Sequence, residues 1–197
     1  MDILLKLQML LDRTRQADFL APLLLRLYLA PIFWMAGTSK YNSFEDTAAW
    51  FGNSEWGLGL PFPELMTFLA MSTEMAGAIM LLFGFGVRWV SMPLMFTMLI
   101  AIFSVHWVNG WQAVADVKFC LFNCVDAQAA AERLSAAKEL LKTNGNYDWL
   151  TEQGSLVVLN NGIEFGATYF IMLLALFFIG AGKFVSADYW ISKKFSN

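Results

Sequence analysis

What this chain most lacks is charge. Of its 197 residues only 15% are Asp, Glu, Lys or Arg, against about 25% in soluble domains. With 58% hydrophobic residues and a mean hydropathy of +0.53, too little polar surface is left to coat a globule in water. Histidine is almost missing as well. The single one, His106, excludes bis-histidine haem ligation, and two cysteines, Cys120 and Cys124, are too few for an iron–sulfur cluster. No Gly-rich phosphate loop follows a strand, neither HExxH nor CxxC occurs, and no Ser-His-Asp set can be assembled. A net charge of −3 gives no reason to expect nucleic acid. Internal repeats and low-complexity segments are absent, and the N-terminal apolar stretch, broken by Lys6 and Gln8 and followed by Asp12-Arg13-Thr14-Arg15, does not read as a cleaved signal peptide. It reads as an amphipathic helix lying on a membrane surface.

What is present is hydrophobicity in blocks. Four of them, 19–37, 62–84, 87–107 and 162–183, are long enough to cross a hydrocarbon core of about 30 Å at about 1.5 Å per residue. Inside lipid a helix satisfies its own backbone groups, so helix is the expectation for each. The fold expected is therefore an all-α membrane protein: a single membrane domain over 1–197, built as a four-transmembrane-helix bundle with an interfacial N-terminal helix and a helical outer cap. Pro61-Phe62-Pro63-Glu64 opens the second block as a helix start. Phe83-Gly84-Phe85-Gly86-Val87-Arg88 is a tight turn that makes the second and third blocks an antiparallel hairpin.

Lys6, Arg13, Arg15, Arg88, Lys183, Lys193 and Lys194 gather near one set of helix ends, which predicts both termini inside. The other side then holds Lys40 and the insert over 111–160, with most of the acidic residues and Trp34, Trp50, Trp56, Trp107, Trp111 and Trp149. Such loops are expected to lie down on the bundle. A short interfacial helix over 43–51 and a better one over 127–142 fit this, the latter capped by Asp126, stopped by Asn144-Gly145, and presenting Leu134, Ala137, Leu140 and Leu141 as its apolar face.

Ionisable residues inside the bilayer each cost roughly 2.5–3.5 kcal/mol on insertion scales, so they are the sharpest functional signal. Arg26 and Glu74 fall within about one turn of the same depth when antiparallel helices are counted, which predicts a buried pair. That pair reads either as a structural lock on register, with Arg26 snorkelling as a variant, or as a polar floor under a ligand or proton site. Near the outer end Lys40, His106, Asn109 and Glu164 form a second polar group. His106 is a hydrogen-bonded interfacial residue or, beside Glu164, a proton shuttle or metal ligand. Cys120 and Cys124 stand as inert thiols, as a disulfide that would require an opened helix, or, with His106, as a soft site for Cu(I). The methionines of the second and third blocks read as packing, and Gly77, Ala78, Gly162, Gly166, Gly180 and Gly182 as close helix contacts.

Arg26, then Gly37-Thr38-Ser39-Lys40, Gly59-Leu60-Pro61 and Glu74-Met75-Ala76-Gly77 running into Leu81-Leu82-Phe83-Gly84 and Arg88, resemble the DoxX family in order and spacing across about 23–111. The resemblance implies a four-helix bacterial inner-membrane bundle. It also implies an association with quinone-linked oxidation and oxidative-stress complexes, as an accessory subunit rather than an autonomous enzyme. The insert, with Asn146-Tyr147-Asp148-Trp149-Leu150 and Asn160-Asn161-Gly162, is similar to the HvfX subgroup, encoded beside enzymes that modify small copper-binding peptides. Two functions follow as expectations. One is a redox accessory holding a quinone at Arg26 and Glu74, with His106 and Glu164 at the mouth. The other is a non-enzymatic scaffold, exporter or metal-handling partner for a secreted copper-binding peptide, docked on the outer cap. A protein partner in a redox or peptide-maturation system is implied in both.

Overall fold

The computed structural model describes residues 2–115 and 127–195. Among them the regular structure is helical: α1 (Asp2–Thr14), α2 (Leu20–Asn42), α3 (Phe44–Gly52), α4 (Pro63–Phe83), α5 (Val87–Ile100), α6 (Ala127–Asn144), α7 (Tyr147–Thr151), α8 (Glu164–Ile179) and α9 (Ala187–Phe195). The chain forms two compact units, Met1–Thr97 with Tyr169–Asn197, and Met98–Thr168.

Three helical stretches are long and apolar enough to cross a membrane: α2, α4, and Val87–Asn109, which continues α5 through a π turn and a 3-10 turn. They keep the positions expected for them, with one correction. The first does not stop at Gly37 but runs five residues further, because Thr38 and Ser43 bond back to carbonyls of the preceding turn and carry polar residues into a regular helix end. The fourth block also differs. Its helix, α8, has 16 residues, about 24 Å, because Gly180 enters the left-handed region at φ 75° and its N–H closes on the Leu176 carbonyl. The rest of the expected block, to residue 183, is irregular.

The larger unit is held by small contacts between long helices. Gly37 of α2 lies so close to α4 that a Cβ would stand 2.6 Å from Met75 Cγ, and Gly77 of α4 meets the Leu94 side chain of α5 in the same way. Leu29 and Phe33, one turn apart on α2, are buried with Ala78 and Leu81 of α4, Val87, Val90 and Leu94 of α5, and Leu173 and Leu176 of α8. The α4–α5 turn ends α4 with paired bonds, Phe85 N–H to the Met80 carbonyl and Gly84 N–H to the Leu81 carbonyl, with Gly84 left-handed at φ 66°. This is the Schellman arrangement. Pro31 and Pro93 stay within helices, as membrane helices tolerate.

The outward face of this unit is apolar. Leu24, Leu65, Phe68, Phe83, Trp89, Phe96 and Phe178 are each more than half exposed, a surface suited to acyl chains and costly in water. The apolar residues of α1 from Ile3 to Leu11 are likewise uncovered by the chain. The short helix α3 forms where expected and packs on α4, with Gly52 against Pro63.

In the smaller unit, residues 110–115 run antiparallel to 158–164. Bonds go from Ala115 N–H to Val158, Asn160 and Asn161 to Ala113, Gly162 to Gln112, Ile163 to Gly110 and Glu164 to Trp111. Gly162 therefore meets backbone, not a neighbouring helix as expected, whereas Gly166 does face Ile102. The helix expected over 127–142 is α6 and extends to Asn144, stopped by Gly145 as read. Its apolar face is only partly covered: Leu134 and Leu141 are half-buried, Ala137 is exposed, and Leu140 is 64% exposed. The expected cap residue Asp126 lies outside the described residues.

The Gly37 contact generates a prediction. Gly37→Leu forces α2 from α4 and should lower unfolding stability in detergent by about 1–3 kcal/mol, read as a lower Tm. An unchanged Tm would mean the helices do not depend on this approach.

Candidate functional site

Two buried charges organise the larger unit, and they do not meet. Lys40, in the last turn of α2, donates to both carboxylate oxygens of Glu74 in mid-α4, at 2.9 Å to Oε1 and 2.7 Å to Oε2. The Glu74 side chain is 5% exposed and that of Lys40 25%. Gly37 makes room for this pair: Glu74 Cβ is 3.3 Å from where a Gly37 Cβ would stand. With no side chain on α2 at that level, the carboxylate lies against the helix and within reach of an ammonium one turn further on. An ammonium carries three donors, so one N–H of Lys40 has no acceptor among the described residues.

Arg26, expected to pair with Glu74, is elsewhere. It is fully buried and donates from Nη1 to the Leu81 carbonyl at 3.2 Å and from Nη2 to the Val185 carbonyl at 2.8 Å. Residue 26 faces Gly84 while residue 37 faces Met75. Arg26 is thus about 16 Å along α2 from the level of Glu74. Counting from block ends misplaces it because α2 begins before, not level with, the α4–α5 turn. The Leu81 carbonyl belongs to the last turn of α4, the negative end of its dipole, where a cation is favoured. Gly84 is obligatory there, since any Cβ would run into the guanidinium and Ser186.

A residue not singled out from sequence completes this end. Asp188, at the start of α9, accepts from Gly86 N–H at 2.6 Å and Val87 N–H at 3.1 Å, capping α5, and its charge also acts on Arg26. Nothing local signals this role, since the carboxylate caps a helix about a hundred positions earlier in the chain. Arg88 repeats the theme of Arg26 at α8: its Nε donates to the Phe177 carbonyl at 2.9 Å and its guanidinium stacks on the Phe177 ring. Thr67 Oγ1 and Arg26 Nε are buried without a hydrogen-bond partner.

The second expected group is divided. Lys40 belongs to Glu74, as above. In the smaller unit His106 ends the π turn Ala101–His106, and its Nδ1 lies 2.9 Å from the Asn161 carbonyl, which also accepts from Asn109 Nδ2 at 3.1 Å. A carbonyl only accepts, so Nδ1 carries the proton in the neutral ring and Nε2 keeps its lone pair. Asn161 reaches this position with φ 57°. Glu164 does not pair with His106; its Oε2 accepts from Ala113 N–H at 2.9 Å, tying the 110–115 segment to the start of α8. Cys120 and Cys124 lie outside the described residues. Among the described residues no three His, Cys, Asp or Glu side chains are grouped as metal ligands.

The unequal burial of the ion pair generates a prediction. Lys40→Met strands a buried carboxylate and should destabilise by about 3–5 kcal/mol. Glu74→Gln leaves an ammonium that can extend toward water, and should cost less. The double variant Lys40→Met/Glu74→Leu should be more stable than Lys40→Met alone; additive losses in denaturation of the purified variants would exclude a coupled pair. Arg26→Leu leaves the Val185 carbonyl without its donor, while the Leu81 carbonyl keeps the Gly84 N–H, and should cost about 1–3 kcal/mol by the same measurement.

Residues 21–107 match the profile of the DoxX family, a segment that contains Arg26, Lys40, Glu74, Arg88 and His106. No curated protein and no solved structure matches the chain. Helices as the regular structure of the described residues, three of them fit to cross a bilayer, point to an integral membrane protein, and its segment 21–107, which holds the buried charges, is similar to the DoxX family.

Proposed function

We propose that this chain is an accessory subunit of a membrane redox system, and that Lys40 and Glu74 are the point at which it handles a quinone headgroup or its proton. The observation that carries this reading is the bidentate ion pair whose carboxylate is buried while its ammonium keeps one free donor and partial exposure. A quinone carbonyl requires a hydrogen-bond donor at the edge of the hydrocarbon, and Lys40 fits that need. When bound, a quinone supplies two-electron, two-proton redox chemistry. Lys40 would hold the headgroup oxygen, and Glu74 would orient Lys40 and keep a proton acceptor beside it. In the smaller unit His106, with Nε2 left as an acceptor, is a second proton-exchanging group. It is also a ligand that Cys120 and Cys124 could complete for Cu(I). Arg26, spent on two carbonyls, serves the fold in this reading, and Glu164 positions the 110–115 segment.

The proposal includes four spans, with α8 as the fourth, both termini on the cytoplasmic side of a bacterial inner membrane, and kinship to the HvfX subgroup. Support comes from Arg13, Arg15, Arg88, Lys183, Lys193 and Lys194 as a positive-inside set and from the apolar sequence of α8, whose length would suit a locally thinned bilayer. A second reading has one observation in its favour. The helix α6 leaves Leu140 exposed and, with exposed Trp149 and Leu159, offers a docking face for a partner such as a secreted copper-binding peptide.

A reduced-minus-oxidised ultraviolet-visible spectrum of the detergent-purified protein tests the redox reading. The expected result is a quinone difference band, with Lys40→Met lowering affinity for an added short-chain ubiquinone about tenfold or more. A flat spectrum and no ubiquinone binding by folded protein would remove the redox reading. Loss of function on Leu140→Glu with the spectrum intact would shift the weight to docking.

A further inference from the structure

At the Arg26 end of the larger unit is a cleft of about 530 Å³, within the size range of small-ligand sites. Its walls include Phe19, the loop Gly180–Lys183, Arg88 and Tyr189. Three kinds of donor there have no acceptor among the described residues. Arg88 uses Nε on the Phe177 carbonyl and its ring face on Phe177, which leaves both terminal nitrogens of the guanidinium without a bond. The backbone N–H groups of Ala181, Gly182 and Lys183 close no turn, although Ala181 is 6% exposed. The Tyr189 ring packs on Phe184 and Trp190, and its hydroxyl has no hydrogen bond.

The loop geometry follows from its glycines. Gly180 and Gly182 have φ of 75° and 86°, flanking Ala181, and a Gly182 Cβ would lie 2.6 Å from Pro22 Cγ. Backbone that alternates handedness in this way leaves successive amides unpaired, the pattern of an anion-binding nest. Two carboxylates also line the cleft, each with a partner of its own. Asp188 accepts from Gly86 and Val87, and Asp18 is paired with Lys183 at 3.0 Å. Apart from Asp18 Oδ1, the unspent polarity of the cleft is donor in character.

We propose that this cleft binds a phosphate group, and that the group is the headgroup phosphate of a phospholipid. A guanidinium with free terminal nitrogens beside unpaired amides is the chemistry that selects a tetrahedral oxyanion. The lipid is favoured over free phosphate by position. Phe19 immediately precedes α2, Arg88 lies in the first turn of the span Val87–Asn109, and Gly180 follows the end of α8. With α8 as the fourth span proposed above, all three mark the level at which spans leave the hydrocarbon. Trp190, with Lys193 over its ring at 5.3 Å, is an interfacial anchor beside the cleft.

Native mass spectrometry of the full chain in detergent tests this, with phosphatidylglycerol, diacylglycerol of the same acyl chains, and inorganic phosphate as separate probes. Retention of phosphatidylglycerol but not diacylglycerol is expected. Arg88→Gln should lower that retention at least about fivefold, the equivalent of the ~1 kcal/mol one basic residue contributes at an anionic surface. Equal retention of the two lipids by the unaltered protein would overturn the proposal without any variant. So would undiminished phosphatidylglycerol retention by folded Arg88→Gln protein. Displacement of phosphatidylglycerol by millimolar inorganic phosphate would overturn the lipid assignment in favour of a soluble phosphate compound.

Discussion

A charge that cannot reach water must find acceptors inside the fold, and Arg26 is where the larger unit meets that demand. Its guanidinium is fully buried and bonds carbonyls from two separate parts of the chain, the last turn of α4 and the segment before α9. The acceptors are neutral, so the interaction relies on the partial negative charge at a helix C-terminus and on the carboxylate of Asp188 nearby. Much else at this end follows. The α4–α5 turn must carry glycine at position 84 to leave room for the guanidinium. Asp188, placed by the same junction, caps α5.

Lys40 and Glu74 solve the same problem with a countercharge. There the carboxylate is sealed between α2 and α4, and the cation is the member with access to the surroundings. The contrast separates the two by role. An arginine with its bonds directed at backbone is committed to architecture, whereas an ammonium with a free donor is still able to respond to a ligand.

The spans are readable in the sequence because length and hydropathy are local properties: α4 and the stretch from Val87 keep the ends their Pro, Gly and polar flanks announce. The partners of charges are not local. Whether Glu74 meets Arg26 or Lys40 depends on the register of α2 against α4, which is set by Gly37 on Met75 and shifts with how far α2 overruns the turn at each end. The same holds for Asp188 and for the carbonyl of Val185, which are reached only by a chain that has already folded. His106 lay in view as the single histidine, but its hydrogen bond to Asn161 depends on a left-handed asparagine that no motif signals. The fourth block reads longer than α8 because Gly180 looks like a packing residue in sequence, whereas its left-handed backbone stops the helix.

The bond from Arg26 to the Val185 carbonyl also has a consequence for how the protein is made. A ribosome adds about 5–20 residues per second, so Val185 emerges some tens of seconds or less, about 8–30 s, after Arg26. For that interval α2 holds a charge in the bilayer with at most its α4 acceptor. The bond that completes the acceptor set of Arg26 is thus among the last that the growing chain can make.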